Sequence, residues 1–248
     1  MALLDAHTRE EVRRLLTDLK NPVRLLVFIQ HIDCVYCRET QQLIEEVASL
    51  SDRITAEVYN RITDREVAER YGIDKAPAVV IEGDRDYGIR YFGIPSGYEF
   101  GSLIEDIRMV GARDSGLSPS SRKRLAQLQT PVHIQVFVTP TCPYCPRMVR
   151  MAHQAAMESP WIRADMVEAM EFPELADYYG VYGVPRTVIN EVLHIEGAVP
   201  EGYFINELMK VMDPEAMARA RAAWEHMRHA LAGAHARHPH PHDEDEAE

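Results

Sequence analysis

The chain of 248 residues repeats itself, and each copy of the repeat carries one C-x-x-C pair. Residues 34–37 read CVYC and residues 142–145 read CPYC, so the two pairs are 108 positions apart. Upstream of the cysteines the offset becomes 109, because the first copy has one extra residue there. The offset of 108 also relates Tyr36 to Tyr144, Pro77 to Pro185, and the Tyr-Gly dipeptide at 71–72 to that at 179–180. We therefore predict two similar folding units, each with its own cysteine pair.

Two C-x-x-C pairs could also bind zinc. Zinc ribbons separate their pairs by about 15–20 residues, whereas Cys37 and Cys142 are 105 positions apart. One zinc site would require the two copies to meet, while two redox sites require nothing more. A C-x-x-C beside a strand–helix–strand pattern is typical of a redox motif. We predict that Cys34, Cys37, Cys142 and Cys145 are catalytic and hold no metal, with a zinc-binding module as the alternative.

Both copies have the same order of predicted elements. The first strand, 23–29, is nearly all apolar, which is typical of a strand buried on both faces. Gly72 and Gly180 are natural stop signals for a short helix. The predicted bounds in the two copies are 8–19 and 119–128 for the leading helix, 54–59 and 162–167 for the second strand, 79–81 and 187–189 for the third strand, and 97–110 and 201–212 for the last helix.

Strand–helix–strand followed by strand–strand–helix is the thioredoxin fold. With segment 137–146, the tandem C-x-x-C units resemble the protein disulfide oxidoreductases of thermophilic archaea and bacteria, a glutaredoxin-like family. The resemblance covers about residues 5–212. It implies an α/β fold class with two tandem thioredoxin-fold units, each a central mixed β-sheet flanked by helices, plus a C-terminal helical extension. The expected domains are 1–115, 116–212, a helical extension over 213–232, and a His-rich acidic tail over 233–248 that we expect to be disordered.

Thiol–disulfide exchange needs a thiolate that attacks and a second thiol that resolves the mixed disulfide. In a C-x-x-C pair at a helix start, the first cysteine meets unpaired N–H groups and the positive end of the helix dipole, which lower its pKa. Cys34 and Cys142 are thus the predicted nucleophiles, and Cys37 and Cys145 the resolving thiols. Asp33 precedes Cys34, and its carboxylate disfavours a thiolate there. We expect Cys142 to be the more reactive, and a structural disulfide at the first pair is the alternative.

The resemblance also implies that Pro77 and Pro185 follow cis peptide bonds and lie beside the sulfur atoms. A proline at this place removes a competing N–H group. The residue before it, Ala76 or Val184, then has a backbone free to pair with an extended substrate. The predicted substrate-binding residues are Ala76, Pro77, Val184, Pro185, Tyr36, Pro143 and Tyr144.

One departure from thioredoxins concerns their buried Asp, which lies six residues before the first cysteine. Phe28 and Val136 occupy those positions here. Glu57 and Asp165 hold matching places on the two predicted second strands and could accept protons. Ion-paired or solvated strand carboxylates are the favoured interpretation of both.

Composition and the resemblance together limit the kinds of partner that we expect for this chain. A net charge of −12 opposes nucleic-acid binding, because phosphates need a cationic face. The charged first residues and the short apolar runs predict a cytoplasmic protein that spans no membrane. The resemblance implies a thioredoxin-reductase-type flavoenzyme as reductant. We expect protein disulfide or dithiol substrates, no metal or organic cofactor, and either a monomer or a homodimer. The alternatives are a dedicated electron donor to a peroxiredoxin-type partner and a non-catalytic interaction scaffold.

Beyond the repeat, residues 214–231 form a predicted helix with one apolar stripe. We expect this helix to dock on the second unit, and a dimer or partner contact is the alternative. The histidines beyond it could bind a metal only weakly, since alternating His-Pro cannot easily close a rigid site. The stripe consists of Met217, Ala220, Trp224, Met227 and Leu231.

Overall fold

The computed structural model describes residues 2–235, with side chains over residues 2–230. The strands in this range are β1 (Val23–Ile29), β2 (Ile54–Asn60), β3 (Ala78–Glu82), β4 (Asp86–Phe92), β5 (Val132–Val138), β6 (Ile162–Glu168), β7 (Arg186–Ile189) and β8 (Leu193–Glu196). The helices are α1 (Ala6–Leu16), α2 (Cys37–Ala48), α3 (Arg65–Tyr71), α4 (Tyr98–Ala112), α5 (Pro119–Leu125), α6 (Cys145–Glu158), α7 (Pro173–Tyr178), α8 (Glu201–Met209), a 3-10 turn (Lys210–Met212) and α9 (Pro214–His235).

Each unit contains the mixed sheet of the thioredoxin fold. In the first unit, β1 pairs parallel with β2 and antiparallel with β3, which pairs antiparallel with β4. The second unit repeats the pattern with β5, β6, β7 and β8. The predicted fold class, tandem thioredoxin-fold units with flanking helices and a C-terminal helix, is confirmed.

The two sheets join into one. β4 pairs parallel with β6, so that Ile89 lies opposite Ala164 and Phe92 opposite Val167. The result is a single eight-stranded sheet in the order β2-β1-β3-β4-β6-β5-β7-β8. The repeat in the sequence does not predict this junction.

The junction places both cysteine pairs at the same edge of the sheet. β1 and β5 run in the same direction, because two antiparallel pairings and two parallel ones separate them. Each C-x-x-C pair follows the carboxyl end of one of these strands. Four strand spacings of ~4.8 Å put the strand ends about 19 Å apart. The topology therefore places the two cysteine pairs after strands that lie four positions apart in the sheet.

Helices cover both faces of the sheet, which explains why β1 is apolar on both. Leu25 and Val27 pack into a core with α1, α2, α4, α5, α6 and α8. Leu26 and Phe28 point to the other face and pack with residues of α3, α7 and α9. The alternation follows from the two-residue period of a strand.

Local signals set the ends of several helices. α1 begins at Ala6, before the predicted start at residue 8, because the Asp5 carboxylate accepts the Thr8 N–H group at 2.8 Å. α3 ends at Gly72 as predicted, with a left-handed φ of 66°.

The C-terminal helix docks on the second unit, as the apolar stripe predicted. The Trp224 ring is 5% exposed and stacks on Tyr179, with ring centroids 5.7 Å apart. Met227 packs against the same core. The side chain of Leu231 and the His-rich segment beyond residue 235 lie outside the described part of the chain. Over residues 2–235, none of the helices combines the length and apolar character that crossing a membrane requires.

Candidate active site

The second cysteine pair spans the start of α6. Cys142 lies in the loop after β5 and donates its N–H group to the Thr139 carbonyl at 3.1 Å. Cys145 is the first residue of α6. The Cys142 side chain is 8% exposed and Cys145 is fully buried, and both are free thiols. Of the two sulfurs, Cys142 is therefore the one that an incoming disulfide can reach.

The predicted prolines lie where the resemblance implied. The Ala76–Pro77 and Val184–Pro185 peptide bonds are both cis, which confirms that prediction. In the second unit, the Cys142 thiol donates to the carbonyl of half-buried Val184 at 3.6 Å. The Pro185 carbonyl already has a hydrogen-bond donor, because it accepts the Gly197 N–H group at 2.9 Å. The backbone that borders the sulfur atom is thus that of Val184.

Two exposed tyrosines belong to the loops that carry the second pair and its cis-proline. Tyr144, between the cysteines, is 67% exposed, and Tyr182, two residues before Val184, is 83% exposed. Tyr182 was not predicted, although its place just before the cis-proline could have indicated it. Pro143 is also exposed and borders an open groove of about 610 Å³ between α4 and α6. Other residues that line this groove are Tyr98, Glu105, Arg147, Arg150 and Met151.

The first cysteine pair has a different loop. Cys34 and Cys37 form a disulfide with Cα atoms 5.5 Å apart, and the Cys37 sulfur accepts the Gln30 N–H group at 3.3 Å. Cys34 is half-buried. Asp33 adopts a left-handed φ of 54°, and the Gln30 side chain donates to its carbonyl at 3.1 Å. Tyr36, between the cysteines, is 43% exposed. The extra residue of this copy therefore changes the path of the backbone directly before Cys34.

The resolving thiol of the second pair is hard to ionise. Burial raises the pKa of the Cys145 thiol well above its ordinary value, and its hydrogen bond to the Cys142 sulfur raises it further. The charge of Glu99 acts in the same direction. Cys145 therefore needs a proton acceptor at hand before it can attack.

Glu99 is the acidic group that the sequence did not predict. It is the second residue of α4, in the first unit, and is only 1% exposed. Neither carboxylate oxygen has a hydrogen-bond partner among residues 2–235. Burial raises the pKa of Glu99 to about 7, while the nearby Ser102 hydroxyl, whose geometry falls short of a full hydrogen bond, and the charge of His153 act in the opposite direction. A carboxyl group of the first unit thus acts on a thiol of the second.

A close backbone approach holds this carboxyl group in place. The Tyr98 N–H group at the start of α4 donates to the Pro140 carbonyl, in the loop before Cys142, at 2.9 Å. Gly97 precedes it with a φ of 58°, and a Cβ atom there would collide with the same oxygen. A signal in the sequence could have indicated this site. Glu99 and Asp106 share one helix face with the apolar Leu103, and acidic residues seldom lie on an apolar helix face.

Glu57 and Asp165 are ion-paired, as the favoured interpretation stated. Arg24 binds both oxygens of Glu57, at 2.9 and 3.0 Å. Asp165 is 1% exposed, and its carboxylate lies 2.6 Å from His133 Nε2 and 2.8 Å from Arg163 Nε. Burial alone would raise the pKa of Asp165, but the hydrogen bond and charge of His133, with the charge of Arg163, lower it to about 2.

Within residues 2–235, no three His, Cys, Asp or Glu side chains are grouped as metal ligands.

Comparison with known proteins identifies the family. The thioredoxin-domain family model matches residues 25–105 and 132–210, which together make up more than half of the chain. The chain belongs to the thioredoxin-domain family. Each matched segment contains one C-x-x-C pair of this thioredoxin-domain protein, so the repeat and the family model agree on two units.

Solved structures support the tandem arrangement. A protein disulfide oxidoreductase from Aeropyrum pernix is 32% identical, with a TM-score of 0.79, over 85% of this chain and 95% of that one. The NTD_N/C domain of alkylhydroperoxide reductase AhpF from Enterococcus faecalis is 30% identical, with a TM-score of 0.77, over 83% of this chain and 99% of that one. The predicted membership of the protein disulfide oxidoreductase family is confirmed.

Curated relatives include the F component of the alkyl hydroperoxide reductase of Xanthomonas campestris pv. phaseoli, which is 22% identical over 220 residues. The alignment spans 89% of this chain and 39% of that protein. The chain therefore spans about two fifths of the length of such relatives.

Proposed function

We propose that this chain is a protein dithiol–disulfide oxidoreductase whose principal site is the Cys142–Cys145 pair. The observation that carries the proposal is the arrangement of this pair. An accessible sulfur borders the Val184 carbonyl, and the buried thiol behind it is under the influence of a buried carboxyl group. Thiol–disulfide exchange requires these parts: an attacking sulfur, a backbone edge for an extended substrate and a resolving thiol.

In the reductive direction, the Cys142 thiolate attacks one sulfur of a substrate disulfide. A mixed disulfide forms, and the other substrate sulfur leaves as a thiolate that takes up a proton. Cys145 then transfers its proton to ionised Glu99, and its thiolate attacks the Cys142 sulfur. The Cys142–Cys145 disulfide forms, and the second substrate sulfur leaves as a thiolate. Two electrons pass from the chain to the substrate.

The reverse sequence oxidises a substrate dithiol, and both directions together isomerise disulfides. Return to the dithiol needs an external reductant, for which we propose a thioredoxin-reductase-type flavoenzyme. Exposed Tyr144 and Tyr182 beside Cys142 suit a polypeptide substrate, because such rings cover an extended chain at little cost in conformational entropy.

We assign the first pair an auxiliary or structural role. Cys34 follows the Asp33 carboxylate and a loop held by Gln30, whereas Cys142 has no charged residue directly beside it in the sequence. A neighbouring carboxylate disfavours a thiolate. Cys142 should therefore be the more nucleophilic of the two.

The test is dithiothreitol-coupled reduction of insulin by the wild type, Cys34→Ser and Cys142→Ser. Cys142→Ser should abolish turnover, and Cys34→Ser should retain most of it. Cys145→Ser should accumulate a covalent substrate adduct at Cys142, visible on a non-reducing gel. Equal residual activity in the two nucleophile variants would contradict the assigned asymmetry, and an inactive wild type would contradict the general disulfide-reductase function.

A second candidate function is electron donation to one dedicated peroxide-reducing partner of the peroxiredoxin type. The likeness to a domain of alkylhydroperoxide reductase AhpF favours it. A dedicated donor would exchange rapidly with that partner and poorly with insulin. Stopped-flow measurement of both exchanges separates the two functions, and failure of both would favour an interaction scaffold.

A further inference from the structure

A cluster of buried polar side chains continues from Glu99 into the seam between the two units. His153 Nδ1 lies 2.5 Å from Asp106 Oδ2, and the Tyr91 hydroxyl donates to the same oxygen. Asp106, His153 and Tyr91 are all fully buried. The rings of Tyr91 and His153 are in edge contact, with centroids 5.0 Å apart. Strand β4 and helices α4 and α6 each contribute to this cluster.

The cluster is incompletely hydrogen-bonded. His153 Nε2, Asp106 Oδ1 and both oxygens of Glu99 have no hydrogen-bond partner in the described part of the chain. Buried polar atoms are nearly always paired in folded proteins, because an unpaired one costs stability. Four such atoms lie together in this cluster, in the seam between α4 and α6.

The directions of α4 and α6 show where this cluster lies relative to the Cys142–Cys145 pair. α4 begins against the Pro140 carbonyl and α6 begins at Cys145, so the two packed helices start at the same end. Glu99 and Cys145 lie in their first turns. Asp106 and His153 follow about two turns later, seven and eight residues along. The Asp106–His153 pair therefore stands behind Glu99 on the side away from the sulfur atoms.

We propose that His153 is a positioning residue that keeps Glu99 ionised, and therefore able to accept the Cys145 proton, by balancing the carboxylate charges in this seam. The proposal rests on the proposed function. The titratable groups that act on Glu99 are Asp106 on its own helix, which raises the pKa of Glu99, and His153 on α6, which lowers it, with Ser102 and Tyr91 as neutral neighbours. Asp106 lies about two helical turns from Glu99, and without a compensating charge at His153 it would raise the pKa of Glu99 further.

His153 acts through charge alone in this scheme. Its proton stays in the hydrogen bond to Asp106 while the Cys145 proton moves to a Glu99 oxygen. The electron pair left on the Cys145 sulfur forms the bond to Cys142, and the substrate thiolate departs. Glu99 later returns its proton to solvent or to the sulfur when the pair is reduced again.

The experiment measures the rate at which Cys145 resolves a preformed mixed disulfide, in single turnovers from pH 5 to pH 9. Wild type, Glu99→Gln, His153→Gln and His133→Gln are compared. His133 is the matched control, since it belongs to the same unit and binds Asp165 at 2.6 Å. His153→Gln should shift the rise in rate upward by about one pH unit and leave the plateau unchanged. A His153→Gln profile that coincides with that of His133→Gln would overturn the proposal.

A second measurement avoids any substitution at His153. The coupling between two charges is reciprocal, so Glu99→Gln should move the imidazole resonances of His153 toward those of a neutral ring at pH 7, measured by NMR. Unchanged His153 resonances would also overturn the proposal. A wild type without turnover at Cys142 would instead remove the proposed function. If the wild type turns over normally and Glu99→Gln is slower, but His153→Gln keeps the pH profile of the wild type, only the role of His153 is contradicted.

Discussion

The Glu99→Gln substitution removes a buried charge beside Cys145 and keeps the shape of the side chain. Folding raises the pKa of Glu99 from 4.5 to about 7, with burial as the main cause. Between these values the folded protein holds a proton that the unfolded chain has released. The free energy of unfolding of the wild type therefore contains a contribution that falls as pH rises from 4.5 to about 7.

The size of this contribution follows from the pKa interval. One pKa unit corresponds to about 1.4 kcal/mol, so the full interval amounts to roughly 3 kcal/mol. Most of it, roughly 2–3 kcal/mol, falls between pH 5 and pH 8. Gln carries no such pH dependence. Glu99→Gln should thus be more stable, relative to the wild type, at pH 8 than at pH 5 by roughly 2–3 kcal/mol.

Urea unfolding of both proteins at the two pH values measures this double difference, with the cysteines kept reduced throughout. Any constant cost of burying the Gln amide cancels between the two pH values. Glu105→Gln is the control on the same helix, because Glu105 is partly exposed and pairs with Arg108 and Arg150. Surface pairs of this kind contribute less than about 1 kcal/mol. A Glu99→Gln offset that is equal at pH 5 and pH 8 would refute the reasoning from burial.

Three further substitutions test other parts of the structure. Gly97→Ala should destabilise the protein by more than about 1 kcal/mol and slow the resolution step at Cys145, because the alanine Cβ atom would collide with the Pro140 carbonyl. Urea unfolding measures the first effect, and single-turnover rates measure the second. Asp165→Asn should cost about 3 kcal/mol at pH 7, since it leaves the Arg163 guanidinium without its carboxylate partner; the stability that this carboxylate contributes is present above pH 3.8 and is lost as pH falls through about 2, so the difference from wild type should shrink in acid. Trp224→Ala should lower the free energy of unfolding by about 3 kcal/mol by undocking α9, and an unchanged urea midpoint would contradict the docking.

Local patterns in the sequence were sufficient for much of the fold. The apolar run of β1 predicted its bounds at residues 23 and 29, because a strand buried on both faces has no polar positions to interrupt it. Gly72 ended α3 because a left-handed residue favours glycine. The two C-x-x-C pairs and the prolines at 77 and 185 indicated the dithiol sites because each motif carries its chemistry within a few residues.

Tertiary structure alone placed a buried carboxyl group of the first unit where its charge acts on the second dithiol. The sequence offered Glu57 and Asp165 as possible proton acceptors but favoured ion pairing for both, and both are held by arginines. The charge of Glu99 acts on Cys145 because β4 joins β6 and α4 packs beside α6. Such packing depends on how two finished units fit together, and no short-range periodicity encodes it. The sequence by itself determined the two thioredoxin-fold units and their cysteines, while packing across the seam determined which buried carboxyl group acts on the second dithiol.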